Sequence, residues 1–127
     1  MLEAFRARPA DVVACDAMLF GALVGAEAAR SESGARVVAL LPMTSFLPAR
    51  GRPPAALGLR PARGALGRAR DRVLEAAGDA LLWRSCVPYL NAARREVGLA
   101  PVAHPLDQLR RADRVLAQTS AWFDFDA

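Results

Sequence analysis

Asp11-Val12-Val13-Ala14-Cys15-Asp16 is the stretch that decides the fold, because it is a short apolar run with a charged residue at each end. Such a run, without polar alternation, is typical of a parallel strand that is covered on both faces. A second run of this kind, Val37-Val38-Ala39-Leu40-Leu41, stops at Pro42. The small and apolar residues from Met18 to about Arg30 predict a helix between them. A strand, a helix and a second strand in this order predict one βαβ unit.

Glycines and prolines predict where the next elements begin and end. Gly34 is placed to end the first helix. Five prolines and two glycines lie between Pro42 and Arg63, and this density excludes a continuous helix or a central strand. We therefore predict a long loop, rich in proline, glycine and arginine, over residues 43–63.

The second half of the chain is mainly helical by its apolar spacing. A helix is predicted from Gly64 to about Ser85, with four apolar residues on one face: Leu66, Val73, Ala77 and Leu81. Pro88 predicts a break or kink, and a further helix should end at Gly98. A short helix is predicted over residues 106–112, and a third strand over residues 114–119.

These elements predict an α/β fold, specifically a partial Rossmann-like three-layer domain with about three parallel strands and flanking helices. We expect residues 1–127 to form one partial domain, with the strands in the spatial order one, two, three. The outer edge of the first strand would then be bare. A bare apolar edge invites pairing, so we expect self-association or a partner chain.

Charge and hydropathy narrow the choice of partners. All 17 basic residues are arginines, set against 13 acidic residues, and the formal net charge is only +4. Seven arginines and one acid lie within residues 50–72, but no aromatic residue is interleaved to stack on bases. We expect a solvated surface there, and an arginine-rich nucleic-acid binder is the weaker alternative. The longest apolar run, Ala17 to Ala26, is about half of the ~20 residues that span a bilayer. We expect no membrane contact.

The cysteines and the N-terminal residues bear on the cellular compartment. Cys15 and Cys86 are far apart and belong to no metal-binding motif, so we expect two buried, reduced thiols and no metal. The N-terminal residues lack the pattern of a signal peptide, and a cytoplasmic location is expected. No glycine-rich phosphate loop occurs, so no nucleotide or other cofactor is expected on this chain.

Asp16 is the residue most suggestive of chemistry. It ends the first strand at the carboxyl edge, where open α/β sheets place ligands and catalytic groups. An aspartate here could equally cap the following helix near Met18, and both roles can hold together. The only histidine, His104, could form a dyad with Asp16 at that edge, although an isolated loop histidine is usually structural. Residues Met43 to Phe46 follow the second strand, where they could line a pocket or pack as ordinary loop.

Several runs resemble, in order, the N-terminal acceptor-binding domain of GT-B glycosyltransferases, and most closely the bacterial macrolide-type members of the nucleotide-sugar-dependent superfamily. The first runs are Asp11 to Ala17, Gly21 to Ala29 and Val37 to Pro42. Leu90-Asn91-xx-Arg94-xxx-Gly98-Leu99 resembles a family signature that usually continues with two prolines, of which only Pro101 is present. The runs from Arg114 to Ser120 and from Phe123 to Phe125 resemble the strand and turn before the linker to the second domain.

The resemblance implies a transferase that moves a sugar from a nucleotide-sugar to a hydroxyl of a small, natural-product-like acceptor. Asp16 would orient a general-base histidine that this chain lacks, and the nucleotide-sugar would bind mainly to a missing second domain. Acceptor-pocket lining would come from the following residues: Met18, Met43, Thr44, Ser45, Phe46 and Trp83. We expect such a fragment to be inactive alone. The alternative is a non-enzymatic α/β interaction module that associates with a partner chain.

Overall fold

The computed structural model describes residues 2–42, 52–54 and 57–120. They form three strands and five α-helices, with a π-helical segment between the third and fourth helices. In chain order the elements are α1 (Leu2–Ala7), β1 (Val12–Asp16), α2 (Phe20–Ser33), β2 (Arg36–Leu41), α3 (Gly64–Gly78), the π segment (Asp79–Trp83), α4 (Arg84–Glu96), α5 (Leu106–Arg110) and β3 (Arg114–Ala117).

The three strands form one parallel sheet with β2 in the centre. β1 and β3 pair with its two sides, so that Ala14 lies opposite Val38 and Leu40 lies opposite Leu116. The all-parallel sheet with flanking helices confirms the predicted α/β, partial Rossmann-like class and the predicted strand order. Most of the predicted loop, including residues 43–51, lies outside the described residues.

The core lies between one face of the sheet and the helices α2 and α5. Its buried members come from both strands and helices: Cys15, Ala17, Leu23, Ala26, Val37, Ala39, Leu41, Leu106 and Leu109. Burial alternates along β2, whereas Val12 on β1 is 52% exposed and Leu116 on β3 is 51% exposed. The prediction that the strands are covered on both faces is therefore wrong for the described residues. The reason is that the described helices pack against one face only.

Two glycines end helices where the sequence predicts a stop. Gly34 has φ +76°, and its N–H donates to the Arg30 carbonyl at 2.8 Å after α2. Gly98 has φ +74° and follows α4; its N–H donates to the Arg95 carbonyl, and the Leu99 N–H donates to the Arg94 carbonyl at 2.9 Å. This pair of bonds is a Schellman motif. Both predictions are confirmed, because only glycine adopts this left-handed backbone without steric cost.

The helix does not break at Pro88. α4 runs through the proline to Glu96, so of the two predicted outcomes, a break or a kink, the break is wrong. The irregularity lies one turn earlier, in the π segment, where the Arg84 N–H reaches back to the Asp79 carbonyl. A wider π turn is a known way to absorb a local irregularity without ending a helix.

The apolar face predicted for α3 does not pack on the core. Leu66 is 86% exposed, Val73 68% and Leu81 75%, and α3 has no buried residue. The spacing correctly predicts a helix here. The burial of that face does not follow, because it depends on a partner surface that local spacing cannot specify.

Candidate functional site

Asp16 ends β1 and caps the turn that leads into α2. Its Oδ1 accepts the Met18 N–H at 2.8 Å, and its carbonyl accepts the Leu19 N–H at 3.1 Å. The Met18 N–H lies before α2, whose N-cap residue is Leu19 and has no side-chain cap bond. The prediction that Asp16 caps the helix is therefore wrong, and its carboxylate closes the turn ahead of the helix. The carboxylate is only partly buried, and its Oδ2 has no hydrogen-bond partner among the described residues. One oxygen is thus used for structure, and the other can still accept a hydrogen bond.

The other residues predicted to line an acceptor pocket are described only in part. Met18 lies two residues beyond the end of β1 and is 47% exposed. Met43, Thr44, Ser45 and Phe46 lie outside the described residues. Trp83 is half-buried and ends the π segment.

Phe20 connects Trp83 to the carboxyl edge of the sheet. The two rings meet edge to face, with centroids 6.2 Å apart and planes at 87°. Since Phe20 is the first residue of α2 and follows the Asp16 turn, it lies near the carboxyl end of β1. The ring centroid of His104 lies 6.3 Å from that of Trp83, with the two planes at 47°. The structure therefore brings two predicted site residues, Asp16 and Trp83, to the same end of the sheet.

A pocket of about 510 Å³ opens beside Trp83. Its lining is mostly charged and comes from α3, the π segment, the loop before α5 and α5 itself. The charged and aromatic members are Arg72, Glu75, Asp79, Trp83, Arg84, His104 and Arg110. Its volume is in the range of small-molecule sites. We refer to it as the Trp83 pocket.

His104 is bonded to Asp79, not to Asp16. Its Nδ1 accepts the Leu106 N–H at 3.1 Å, so the ring proton is on Nε2, which donates to Asp79 Oδ1 at 2.5 Å. The dyad with Asp16 that the sequence allowed is not formed. Because both ring nitrogens are engaged, this imidazole has no free lone pair with which to act as a base.

Asp79 is the partner that the sequence did not reveal. It lies 25 residues before His104, and no motif links the two positions. Its Oδ2 accepts Arg84 Nε at 2.7 Å. The hydrogen bond from Arg84, and next that from His104, hold the pKa of Asp79 below its ordinary value. The carboxylate therefore stays charged and holds the Arg84 guanidinium and the His104 ring in the wall of the pocket.

A buried ionic network joins α2, α4 and α5 away from the pocket. The side chain of Arg94 is fully buried and donates to both carboxylate oxygens of Glu27, at 2.7 and 3.2 Å. Its Nε donates to the Ala100 carbonyl at 2.6 Å, and it also donates to Gln108. Every polar edge of the guanidinium thus faces an acceptor, which is the condition for burying such a charge.

Glu27 is held as a carboxylate by its neighbours. Burial alone would raise its pKa, but hydrogen bonds from Arg94 and Gln108 and the charges of Arg94 and Arg111 outweigh that effect. The pKa of Glu27 therefore lies below its ordinary value. Gln108 donates to it at 2.9 Å and Arg111 at 3.3 Å. The network fixes the packing of three helices.

The signature residues Asn91, Arg94 and Gly98 have structural roles. The Asn91 side chain exchanges two hydrogen bonds with the backbone of Val102, at 2.8 and 3.0 Å. Gly98 provides the left-handed turn between them, and Arg94 enters the buried network. The signature thus folds residues 90–102 back onto α2. The sequence identified these residues but did not show what they do.

The two cysteines differ in their surroundings. Cys15 is buried in the core, where burial raises the pKa of its thiol. Cys86 is exposed on α4, so the prediction that both thiols are buried is wrong for this one. Both are free thiols. The sequence pattern did not distinguish the buried cysteine from the exposed one.

No protein-family model and no curated protein matches the chain. Within residues 2–42, 52–54 and 57–120, no helix is long and apolar enough to cross a membrane. In the same part of the chain, no three His, Cys, Asp or Glu side chains lie close enough together to hold a metal ion.

Proposed function

We propose that this chain is the acceptor-side part of a glycosyltransferase, in which Asp16 orients a histidine base supplied from outside the chain. The histidine would take the proton of an acceptor hydroxyl, and the hydroxyl oxygen would attack the anomeric carbon of a nucleotide-sugar. The carboxylate would hold the imidazole in one orientation and stabilise its protonated form. The sugar donor would bind to a second domain, also outside the chain.

The Asp16 carboxylate is the observation that carries the proposal. It lies at the carboxyl end of a parallel strand, with Oδ1 bonded to Met18 and Oδ2 without a partner among the described residues. The turn needs only one carboxylate oxygen, and the second is left to accept a hydrogen bond from an imidazole. The single histidine of the sequence, His104, is bonded to Asp79 and Leu106 and does not serve as the base.

The Trp83 pocket supports the same proposal from the ligand side. Trp83 in its wall contacts Phe20, the residue that opens α2 just after the Asp16 turn, although neither Phe20 nor Asp16 is among the lining residues. This contact is our reason for placing the acceptor in the pocket. A small-molecule acceptor and a cytoplasmic location are parts of this proposal.

Binding measurements on the chain test the proposal directly. In a thermal-shift assay, macrolide, polyketide and flavonoid-like acceptors should raise the melting temperature of the protein, whereas nucleotide-sugars alone should not. Stabilisation by nucleotide-sugars alone would contradict the proposal. In a reconstituted transferase, Asp16→Asn should lower kcat on the order of 10³- to 10⁴-fold, with little change in acceptor KM. Asp11→Asn, which lies just before the first residue of the same strand, is the matched control.

The alternative is a non-enzymatic module that associates with another chain. The outer edge of β1 pairs with no described strand, and Val12 there is 52% exposed. On this alternative, light scattering at micromolar concentration should show an oligomer, and Val12→Lys should reduce it to a monomer. A monodisperse monomer that binds acceptors would favour the transferase proposal instead.

A further inference from the structure

We propose that two copies of this chain pair through the outer face of α3, with the two helices antiparallel and Val73 on the two-fold axis. This surface is distinct from the open edge of β1, and its pairing does not depend on the proposed transferase activity. Two patterns on α3, one apolar and one charged, lead to the same arrangement.

Three large apolar side chains form a line on the outer face of α3 and the π segment. Leu66, Val73 and Leu81 are all exposed. Leu66 and Val73 are seven residues apart, which places them on the same side of an α-helix. Leu81 follows Val73 by eight residues, and the π segment accommodates the additional one, because a π turn holds more residues than an α turn. We call this line the α3 stripe.

The α3 stripe points away from its own chain. On the opposite side of α3 the residues are only partly exposed, and they recur at spacings of four and three: Gly67, Asp71, Leu74 and Gly78. Contact with the rest of the chain therefore occupies that side. Aligned valine and leucine side chains on the outer side are typical of a helix that pairs with another helix.

A row of charges runs beside the α3 stripe and changes sign along the helix. Its members recur at spacings of four, three and four, and they lie one above the other on the helix surface: Arg68, Arg72, Glu75 and Asp79. Arg72, Glu75 and Asp79 all line the Trp83 pocket, so the row lies on that flank. Among the described residues, Arg68, Arg72 and Glu75 form no ion pair. These three charges are therefore available to a second chain.

An antiparallel pair brings the apolar side chains together in one register. With Val73 on the axis, each residue faces the one that lies about equally far beyond Val73 in the second copy. Leu66 lies seven residues before Val73 and Leu81 lies eight after it, so Leu66 meets Leu81 of the second copy. Val73 meets its own counterpart. All three side chains of the α3 stripe thus gain an apolar partner.

The same register pairs opposite charges. Arg72 lies one residue before Val73 and Glu75 two after it, so Arg72 of each copy lies beside Glu75 of the other. Arg68 and Asp79, five residues before and six after, are related in the same way. A parallel pair would instead bring residues of equal height together and place the arginines of the two copies side by side. Charge complementarity therefore favours a second copy in the antiparallel orientation.

Analytical ultracentrifugation of the whole chain measures the pairing. At about 100 µM we expect a dimer, twice the chain mass of 13.5 kDa, and no larger species, because a two-fold interface closes on itself. Val73→Glu places two carboxylates against each other at the axis and should weaken dimerisation at least ~10-fold. Leu116→Glu, a comparable change at an exposed apolar residue of β3, is the matched control and should leave dimerisation unchanged.

Reversal of charge tests the orientation of the two helices. Arg72→Glu alone places acids beside acids at two symmetric positions and should weaken the dimer on the order of 10-fold at low salt. Arg72→Glu combined with Glu75→Arg restores opposite charges in the antiparallel pair and should recover most of that loss. Both effects should shrink in about 1 M salt, and circular dichroism checks that each variant is folded.

Three outcomes would overturn the inference: a monomer at the stated concentration, a dimer that Val73→Glu leaves intact, or a double charge variant that dimerises no better than Arg72→Glu. A dimer that Val12→Lys abolishes and Val73→Glu does not would assign the contact to the edge of β1 instead. A dimer that is lost in Val73→Glu and retained in Val12→Lys supports pairing through the α3 stripe.

Discussion

Arg94→Met removes the positive partner of a buried carboxylate, and we expect it to lower the free energy of unfolding by about 3 kcal/mol. Breaking one side of a buried ion pair costs roughly 3–5 kcal/mol, because the other charge stays buried. Glu27 would keep its bonds from Gln108 at 2.9 Å and from Arg111 at 3.3 Å, and this places the expected loss at the lower end. The Ala100 carbonyl would also lose its 2.6 Å donor.

Urea unfolding followed by circular dichroism measures this loss. With a urea dependence of about 2 kcal/mol per M, a loss of 3 kcal/mol shifts the midpoint by roughly 1.5 M. Arg95→Met is the matched control, because Arg95 is the next residue on α4 and is exposed; it should change the unfolding free energy by less than about 0.5 kcal/mol.

A double variant separates the charge from the packing. Glu27→Leu combined with Arg94→Met removes both charges and keeps apolar volume, so it should recover most of the stability that Arg94→Met loses. If Arg94→Met instead behaves like Arg95→Met, the ion pair contributes nothing measurable. That result would refute the expectation that an unpaired Glu27 carboxylate is costly to bury.

Three further predictions follow from the pKa shifts, the backbone and the exposure of thiols. The pKa of Glu27 in the folded protein lies below its unfolded value of about 4.3. The contribution of the ionised carboxylate to the free energy of unfolding is therefore complete above about pH 4.3, and it is lost as the pH falls through the folded-state pKa. Between pH 7 and 3, the urea midpoint of Glu27→Gln should therefore fall less steeply with pH than that of the unaltered protein. Midpoints that fall in parallel for the two proteins would contradict this. Gly98→Ala should lower the free energy of unfolding by about 1–2 kcal/mol, because the φ of Gly98 is +74°. Gly78→Ala should raise it by about 0.4–1 kcal/mol, because Gly78 has φ −61° and open space around it. The Tm values of the two variants, measured by calorimetry, should therefore move in opposite directions. Cys86 should react with a thiol reagent at least 10-fold faster than Cys15, as mass spectrometry of the labelled peptides can show, because burial shields Cys15 and raises its pKa.

Local patterns predicted most of the backbone. The apolar run that ends at Asp16 is β1, and Gly34 and Gly98 stop their helices where expected. These features depend on neighbours within four or five residues, which a sequence pattern contains directly. Pro88 is the exception: its local signal predicts a break or kink, and the helix continues past it without a break, after a π turn.

The candidate site was predictable only where position along a strand decides the role. Asp16 could be identified because it follows an apolar strand. Asp79 could not, because its importance comes from His104, 25 residues away. Trp83 was expected from the resemblance, while its edge-to-face contact with Phe20 depends on how two helices meet.

Periodicity and turn chemistry in the chain establish the βαβ unit, the helix ends and an aspartate at the carboxyl edge of a parallel sheet, because each of these depends on short-range sterics and hydrogen bonding. Tertiary packing decides which apolar faces are covered and which charges meet. It leaves Leu66 and Val73 exposed, and it joins Glu27 to Arg94 across 67 residues. Such contacts form between surfaces that are brought together by the whole fold, so no local pattern specifies them.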